Sequence, residues 1–491
     1  MRIVLVLLAS LSACTAPNPN ACCVTDEQCA TLGADEIRPC APGQACGTGF
    51  TCVAAECATS TDCGDPAFPI CSLGLCVGTC RVDDDCVDVT GRQICAADGV
   101  CVGCELNDQC TVEASVCDAE TRACRGCERD SECESGICLE ADGICADELA
   151  TVFVASSGGV DTGECIRAAP CDTLAFAVGK VTASRSVLRL EGGGVFNLTS
   201  TLVLNRPVYV DGTDTTIALT GTGPAIRIAS DGIRTLTHVR ISAGTGPAIT
   251  VTAGSLRTFD VVAGNTTVTT ASVDAVLSNF DGLECSNGIV AVSASTFHRN
   301  SQGGKALISM NCQLTVQRCV FDDVSGSIGA TNGKAIIENN LIIESDGASD
   351  SMFVMGTAPG STVRFNTVVN TTPVSSDGAA LACDSNVSVT SNIFAYNSTN
   401  PMALPGFPIC KATHSLFDSV AIAQHTTGLG NVVADGNTFF ADRGAKDFHL
   451  AESSPGKAIS DPTAMVGVDF DGVDRPQPAG SVADVGALEA P

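Results

Sequence analysis

Asp469, Asp471 and Asp474 alternate around Gly472 near the end of this 491-residue chain. Alternating carboxylates around a glycine suit a hard cation, so the run is a weak candidate site for Ca²⁺. The run lacks the distal Glu of an EF-hand loop. A turn that closes the last structural repeat is the alternative explanation.

A second candidate group is the pair Asp322-Asp323 with Arg299 or Arg318. Carboxylates that hold Ca²⁺ against an acidic sugar, beside an arginine that acts as the base, are what elimination from a uronate needs. A solvated corner of the fold explains the same residues without any chemistry. The sequence shows no histidine cluster that would suggest a further catalytic site, because all five histidines occur singly: His238, His298, His414, His425 and His449.

The overall charge restricts the possible partners. The formal net charge is −29, and residues 14–150 contain no lysine. A chain this acidic is not expected to bind nucleic acid, nor to be attracted electrostatically to anionic lipid headgroups. The acidity suits a solubilising surface, with weak Ca²⁺ association as the alternative.

The first residues predict export. Met1-Arg2 precedes the apolar stretch from Ile3 to Ala9, which is too short to span a bilayer. Leu11-Ser12-Ala13-Cys14 then resembles a bacterial lipobox, which implies cleavage after residue 13 and lipidation of Cys14. Several acyl chains on one residue anchor a protein stably. An ordinary secretory signal with a chance cysteine is the alternative.

Cysteine spacing defines a first region, residues 14–150. Of the 30 cysteines, 23 precede residue 148. Four modules open with a C-x5-C pair, at Cys57, Cys80, Cys104 and Cys127, and most carry an acidic residue before the second cysteine. Units this small need cross-links in place of a core, so we expect disulfides whose connectivity the sequence leaves open. Zinc is the alternative, but this region contains no histidine.

From Thr151 onward, Val, Ile, Thr, Ser, Gly and Asn dominate, and short apolar stretches recur every 17 to 27 residues. That period is the length of one coil of a parallel β-solenoid. Each coil would bury aliphatic side chains against its neighbours, and Asn residues at a turn would stack into a hydrogen-bonded ladder. An antiparallel sandwich is the alternative, but tight hairpin turns are scarce.

Residues 151–491 resemble right-handed parallel β-helix proteins of the pectin-lyase-like superfamily. Val152-Phe153-Val154, the segment Pro170–Thr173 and Leu174–Ala177 resemble the first strand, turn and capping helix of these proteins. Cys165 and Cys171 flank this turn, and we expect them to form a disulfide. The tail is similar to the "choice-of-anchor Q" terminus of surface β-helix proteins, through Lys446–Leu450, Ser454–Ile459, Asp469–Pro476 and Asp484–Glu489.

Five further cysteines lie between residues 285 and 410. Cys285 and Cys312, like Cys383 and Cys410, are 27 residues apart, about one coil. Equivalent positions on adjacent coils lie about 4.8 Å apart, which permits a disulfide. We therefore predict these two bonds and leave Cys319 free and buried.

The sequence predicts a mainly-β protein with three regions: a lipoprotein signal (1–13), a disulfide-rich stalk (14–150) and a right-handed parallel β-helix (151–491). We expect a lipid-anchored protein at the cell surface, in the outer membrane of a Gram-negative bacterium. Its expected role is structural or adhesive, through polysaccharide or an envelope protein, without a cofactor apart from possible Ca²⁺. A polysaccharide lyase or hydrolase with a diverged site is the runner-up, and a scaffold that stacks end to end is a third possibility.

Overall fold

The computed structural model describes residues 93–298, 306–343, 351–369, 379–396, 411–418, 428–464, 466–476 and 479–490. It also describes strand Asn400–Met402 and short pieces between residues 44 and 86. The chain divides into two compact units, Met1–Ala146 and Asp147–Pro491. None of the helices in these residues is long and apolar enough to cross a membrane.

The boundary between the units lies a few residues before the expected one, at Asp147 rather than at Thr151. Asp147 begins the second unit because its carboxylate accepts the Leu149 N–H and its carbonyl accepts the Thr151 hydroxyl, which closes the short helix Glu148–Ala150. Glu148 is also ion-paired with Arg167, at 3.3 Å. These residues are therefore attached to the first strand of the second unit.

The first unit is built from small modules with little regular structure. Its described pieces include the two-stranded antiparallel pairs Gln44–Cys46 with Cys52–Ala54, Ile70–Ser72 with Leu75–Val77, Ile94–Cys95 with Cys101–Val102, Val116–Cys117 with Cys124–Arg125, and Cys138–Leu139 with Ile144–Cys145. Its short 3-10 helices include Asp83–Cys86, Asn107–Gln109, Val112–Ala114 and Asp130–Glu132.

Disulfides join these modules internally in one repeated pattern. In each of the three described modules the first cysteine bonds to the third and the second to the fourth: Cys80–Cys95 and Cys86–Cys101, Cys104–Cys117 and Cys110–Cys124, and Cys127–Cys138 and Cys133–Cys145. The crossing of two short loops substitutes for a hydrophobic core, as expected for units of this size.

A repeated side-chain contact orients the third cysteine of each module. The residue three positions before the second cysteine accepts the backbone N–H of the third cysteine, at 2.7 Å for Asp83, 2.8 Å for Asn107 and 2.9 Å for Asp130. Consecutive modules also contact each other: Ser115 Oγ accepts the Cys145 N–H at 3.1 Å, and Asn107 donates to the Glu132 carbonyl.

The second unit begins with a capped strand edge. Strand Thr151–Ala155 would otherwise present unpaired backbone groups. Instead, the Phe153 N–H donates to the Cys165 carbonyl and the Ala155 N–H donates to the Cys171 carbonyl. Helix Leu174–Lys180 follows, with the Thr173 hydroxyl accepting the Phe176 N–H as its N-cap. The capping helix expected from the sequence is therefore present.

A parallel sheet of 30 strands makes up most of this unit, and each strand pairs with the one about three strands later. This order defines coils of three strands and three faces, which confirms the predicted parallel β-helix. The strands Val208–Leu219, Ile226–Ala243 and Ile249–Phe259 are long and bend from one face to the next.

The first face also contains Leu202–Val203, Thr266–Thr269, Leu283–Ser286, Leu307–Met310, Ile328–Thr331, Met352–Met355, Ala379–Cys383 and Asn400–Met402. The second face also contains Thr151–Ala155, Val187–Glu191, Ser272–Val276, Ile289–Ser293, Gln313–Gln317, Ala335–Glu338, Ser361–Arg364, Val387–Thr390 and Ala412–Thr413. The third face also contains Val195–Leu198, Val262–Ala263, Asn279–Phe280, Thr296–Phe297, Val320–Asp322, Leu341–Ile343, Thr367–Val369, Ile393–Ala395, Leu416–Asp418 and Val432–Ala434.

The interior is filled by stacked, equivalent side chains. Phe280, Phe297 and Phe321 stack on successive coils, with ring centroids 5.8 and 4.6 Å apart. Beside them runs the expected asparagine ladder, in which Asn340 donates to Asn366 at 2.9 Å and Asn366 donates to Asn392 at 3.0 Å.

A C-terminal wrap, defined as the described residues between 435 and 490, lies on the outer side of the third face. It contains the antiparallel pair Phe440–Asp442 and Asp447–Leu450 and the 3-10 helices Gly436–Thr438 and Arg443–Ala445. Its apolar side chains bury the outward residues of four coils, in a cluster that includes Leu341, Ile343, Val369, Ile393, Ala395, Leu416, Phe439, Phe440, Phe448, Leu450, Val485 and Leu488.

Candidate functional site

The edge of the C-terminal wrap brings together residues from both candidate groups of the sequence. Lys446 follows the helix Arg443–Ala445 in a left-handed conformation and reaches the third face, where its Nζ lies 2.9 and 3.0 Å from the two carboxylate oxygens of Asp322. Asp447 and His449 lie on the adjacent strand, and Asp471 lies on the following turn. We call these five residues the edge cluster.

His449 is held between two carboxylates of the edge cluster. Its Nδ1 lies 2.7 Å from Asp447 Oδ1, and its Nε2 lies 2.9 Å from Asp471 Oδ2. Burial acts to lower the pKa of His449, but the hydrogen bonds to both aspartates outweigh it and the net shift is upward. Conversely, the hydrogen bond to His449 lowers the pKa of Asp447. The imidazolium form can donate to both carboxylates, so this histidine joins the strand to the turn.

Of the two arginines that the sequence suggests as a base, Arg318 lies in the described residues and Arg299 does not. Arg318 lies at the corner after the second face, and its guanidinium is close to the turn of the wrap, with Nη1 3.9 Å from where a Cβ on Gly472 would lie. Arg299 is outside the described residues. Asp323 is exposed and its backbone is in the left-handed conformation. The carboxylate of Asp322 forms an ion pair with Lys446. The arrangement as it stands offers a salt bridge rather than two open carboxylates.

The Asp469–Asp474 run does not gather its carboxylates around one point. Asp469 is buried and accepts the Val473 N–H at 2.8 Å and the Glu489 N–H at 3.0 Å. Asp471 is bonded to His449, and Asp474 pairs through its backbone with Val468. In the part of the chain that the structure describes, the only triplets with ligand atoms within 4.8 Å of one another are cysteines already in disulfides.

A buried ion pair explains why this run is rich in charge. Arg475 and Glu489 lie 3.4 Å apart, with side chains 1% and 2% exposed. Burial lowers the pKa of Arg475, while Glu489, Asp469 and Asp484 act to raise it. Arg475 Nη2 donates to the Gly486 carbonyl at 2.8 Å, and its guanidinium lies 4.7 Å from the centre of the Phe365 ring. The charged motif of the tail therefore fixes the wrap to the β-helix.

A second cluster, not anticipated from the sequence, lies on the first coils. Asp211 is 2% exposed and is bonded to Arg189, to the Thr237 hydroxyl at 2.8 Å and to His238 Nδ1 at 3.1 Å. Burial acts to raise the pKa of Asp211, but these partners lower it overall. Arg189, Asp211 and Thr237 are in register on adjacent coils, a relation that appears only once the coils are aligned.

The predicted cysteines of the β-helix are placed as follows. Cys165 is bonded to Cys171 and Cys285 to Cys312, the pairs expected from the sequence. Cys383 is in a disulfide, and its expected partner Cys410 lies outside the described residues, as does Cys14. Cys319 is free and fully buried, and burial raises the pKa of its thiol to about 12.

Comparison with known proteins identifies one distant structural likeness. No model of a protein family matches the chain, and no curated protein matches it. Among solved structures it is similar to the crystal structure of pectate lyase Pel9A, with a TM-score of 0.45 and 13% identity, over 70% of this chain and 96% of that chain. A likeness this distant carries no argument about activity. The assignment as a parallel β-helix depends on the strand order of the chain itself.

Proposed function

We propose that this protein is a surface lipoprotein whose β-helix has a structural or adhesive role and binds polysaccharide without cleaving it. The observation that supports this role is that the charged side chains of the edge cluster, of the first coils and of the tail are paired with one another. Asp322 is paired with Lys446, Asp447 and Asp471 with His449, Asp211 with Arg189, and Arg475 with Glu489. The Asp322–Lys446 pair joins the C-terminal wrap to the third face, and the pairs of His449 and Arg475 join segments within the wrap.

The first unit would act as a stalk. Its described modules are closed by two disulfides each and contact their neighbours through Ser115, Asn107 and the Arg122–Asp98 ion pair at 2.7 Å. A chain cross-linked in this way and bonded between modules behaves as a spacer rather than as a flexible linker. The anchor would be lipid on Cys14, placed in the outer membrane.

Anchoring can be tested separately from binding. Metabolic labelling with a fatty acid should mark the wild-type protein, and Cys14→Ser should remove the label and release the protein from the membrane fraction. A labelled Cys14→Ser variant would refute the anchor but leave the adhesive role intact.

The adhesive role is tested with the purified full-length protein and a panel of neutral and acidic polysaccharides, with and without Ca²⁺. Retention and newly formed reducing or unsaturated ends are both recorded. The proposal predicts retention without new ends. Cleavage that is lost in Asp322→Ala but kept in Asp172→Ala, an exposed carboxylate just before the helix Leu174–Lys180, would replace it with an enzymatic function.

A polysaccharide lyase or hydrolase is the second candidate, and one observation favours it. Asp281, His298 and Asp322 follow the inward residues Phe280, Phe297 and Phe321 on three successive coils, so they form one outward row. Asp281 and His298 are exposed and have no hydrogen-bond partner for their side chains among the described residues. If cleavage is found, His298→Ala and Asp281→Ala are the first variants to compare with Asp322→Ala.

A further inference from the structure

The three faces of the β-helix differ in what they offer to a partner. The third face is covered by the C-terminal wrap over the coils from Leu341 to Leu416. On the first face, most outward positions from residue 307 onward are apolar, as in Met310, which is 48% exposed, although Thr331 is an exception. The second face has polar, half-exposed outward side chains on most coils from Ser255 to Ser388, although Glu338 and Thr390 are buried.

Uncharged hydrogen-bonding groups dominate the middle of the second face. One row of outward positions runs through Ala291, Thr315, Ile336, Thr362 and Ser388 in continuous register. Beside it, Gln313 and Gln317 flank Thr315 on the same strand. The Gln313 amide and the Thr315 hydroxyl have no internal partner within the described residues. Small hydroxyl and amide groups between aliphatic ones suit a sugar, which presents hydroxyls around an apolar ring.

The charges of this face nearly cancel, unlike those of the chain. Glu338 accepts from Arg364 at 2.6 Å and from the Gln317 amide at 3.0 Å, and Arg257 and Asp274 are in register on adjacent coils. Among the described residues, these pairs leave over two cations, Lys334 and, at the corner of the face, Arg318. Two cations are too few to hold a polyanion against a net charge of −29, whereas an uncharged polymer is not repelled by this charge.

We propose that the second face, between Ser255 and Ser388, binds an uncharged, hydroxyl-rich polysaccharide that lies along the axis of the β-helix. This inference depends on the proposed adhesive function and assigns its site and ligand class. Equivalent positions repeat at about 4.8 Å, so seven coils give a track of about 30 Å. Phe259 offers one aromatic ring at the start of this face, but the described strands in its middle carry none for a sugar to stack on. Each contact there is weak, so binding strength comes from repetition along the polymer.

The test compares matched double variants of the full-length protein by affinity electrophoresis in gels that contain either neutral or acidic polysaccharides. Gln313→Ala with Thr315→Ala removes an amide and a hydroxyl from the second face. Thr267→Ala with Thr269→Ala removes two outward hydroxyls from the first face and is the control. Circular dichroism and thermal unfolding of both variants confirm that each is folded.

The proposal expects the second-face variant to lose at least tenfold in affinity, which corresponds to about 1.4 kcal/mol, and the control to lose less than twofold. Gln313→Ser with Thr315→Ser should recover part of that loss. Binding that is lost in the first-face variant and kept in the second-face variant overturns the site but leaves the adhesive function standing. Retention of acidic polymers alone overturns the ligand class, and retention of no polymer overturns the proposed function itself.

Discussion

Removing one side chain from the asparagine ladder should destabilise the β-helix by a predictable amount. Asn366 is fully buried, and its Oδ1 accepts the Asn340 N–H at 3.0 Å. Its Nδ2 donates to the Ile337 and Arg364 carbonyls and to Asn392 Oδ1. In Asn366→Ala the Asn340 N–H becomes a buried donor without an acceptor, which costs about 1–3 kcal/mol. With the other lost bonds and the small cavity, we expect a loss of about 3 kcal/mol in the free energy of unfolding.

A serine at the same position should restore most of that loss. Elsewhere in this column Ser295 and Ser415 occupy the equivalent position and accept the backbone N–H of the preceding coil, at 3.0 and 3.1 Å. The hydroxyl that Asn366→Ser introduces can accept the Asn340 N–H in the same way, so this variant should cost only about 1 kcal/mol. Asn386→Ala is the control, since this residue is exposed, and should change stability by less than about 0.5 kcal/mol.

The assay is urea unfolding followed by circular dichroism, with hydrogen exchange to locate the change. Because a solenoid is stabilised mainly by neighbouring repeats, protection should fall first in the coils around residues 340, 366 and 392. Equal losses for the Ala and Ser variants would refute the reasoning, because the cost would then come from lost volume rather than from the orphaned N–H. A loss in Asn366→Ala no larger than in the control would show that the ladder adds nothing.

Four further outcomes follow from the contacts described above. The pKa of His449 is raised above 6.5, so the stabilisation from its contact with Asp447 and Asp471 should be fully present below pH 6.5 and should be lost as the pH rises through the folded-state pKa. Limited proteolysis of the wrap across this pH range measures the loss. His449→Gln should abolish the pH dependence. Arg475→Met should cost about 3–5 kcal/mol in urea unfolding, because it leaves buried carboxylates without their cation. Replacing Cys285 and Cys312 together by Ala should cost about 3 kcal/mol, since a 27-residue separation is no longer closed in the unfolded chain. Cys319 should react with a thiol reagent only after unfolding, which a colorimetric thiol assay would show.

The repeating parts of the fold could be predicted from the sequence because each coil carries its own local signals. Short apolar stretches every 17 to 27 residues indicated the coil length, and the ladder positions Asn340, Asn366 and Asn392 lie one after the other in those stretches. The left-handed corner residues are harder to predict. Leu277, Ala294 and Phe365 all have φ near +50° although their side chains disfavour it. Here the stacking of the coils outweighs the preference of the single residue.

The position of the C-terminal wrap was not predicted, although the strands that it covers carry a signal. Asn279–Phe280 and Thr296–Phe297 alternate a polar outward residue with an apolar inward one. Leu341–Ile343 and Ile393–Ala395, further along the same face, are apolar throughout and buried on both sides. Continuous apolar strands indicate that both faces of a sheet are covered. Periodicity therefore identified the strands, and the loss of alternation identifies the covered coils.

The candidate chemistry could not be predicted because its partners are far apart in sequence. Asp322 and Lys446 are 124 residues apart, and His449 meets Asp471 across a turn. Residue types alone suggested a catalytic base and a cation site. Which carboxylate pairs with which cation, however, depends on how the C-terminal wrap lies on the third face. The charged residues of the pattern from Asp469 to Glu489 thus form a buried ion-pair network around Arg475. The C-terminal wrap covers the third face from Leu341 to Leu416, and the carboxylates of the edge cluster are paired. The polar second face is therefore the surface on which ligand binding should be tested first.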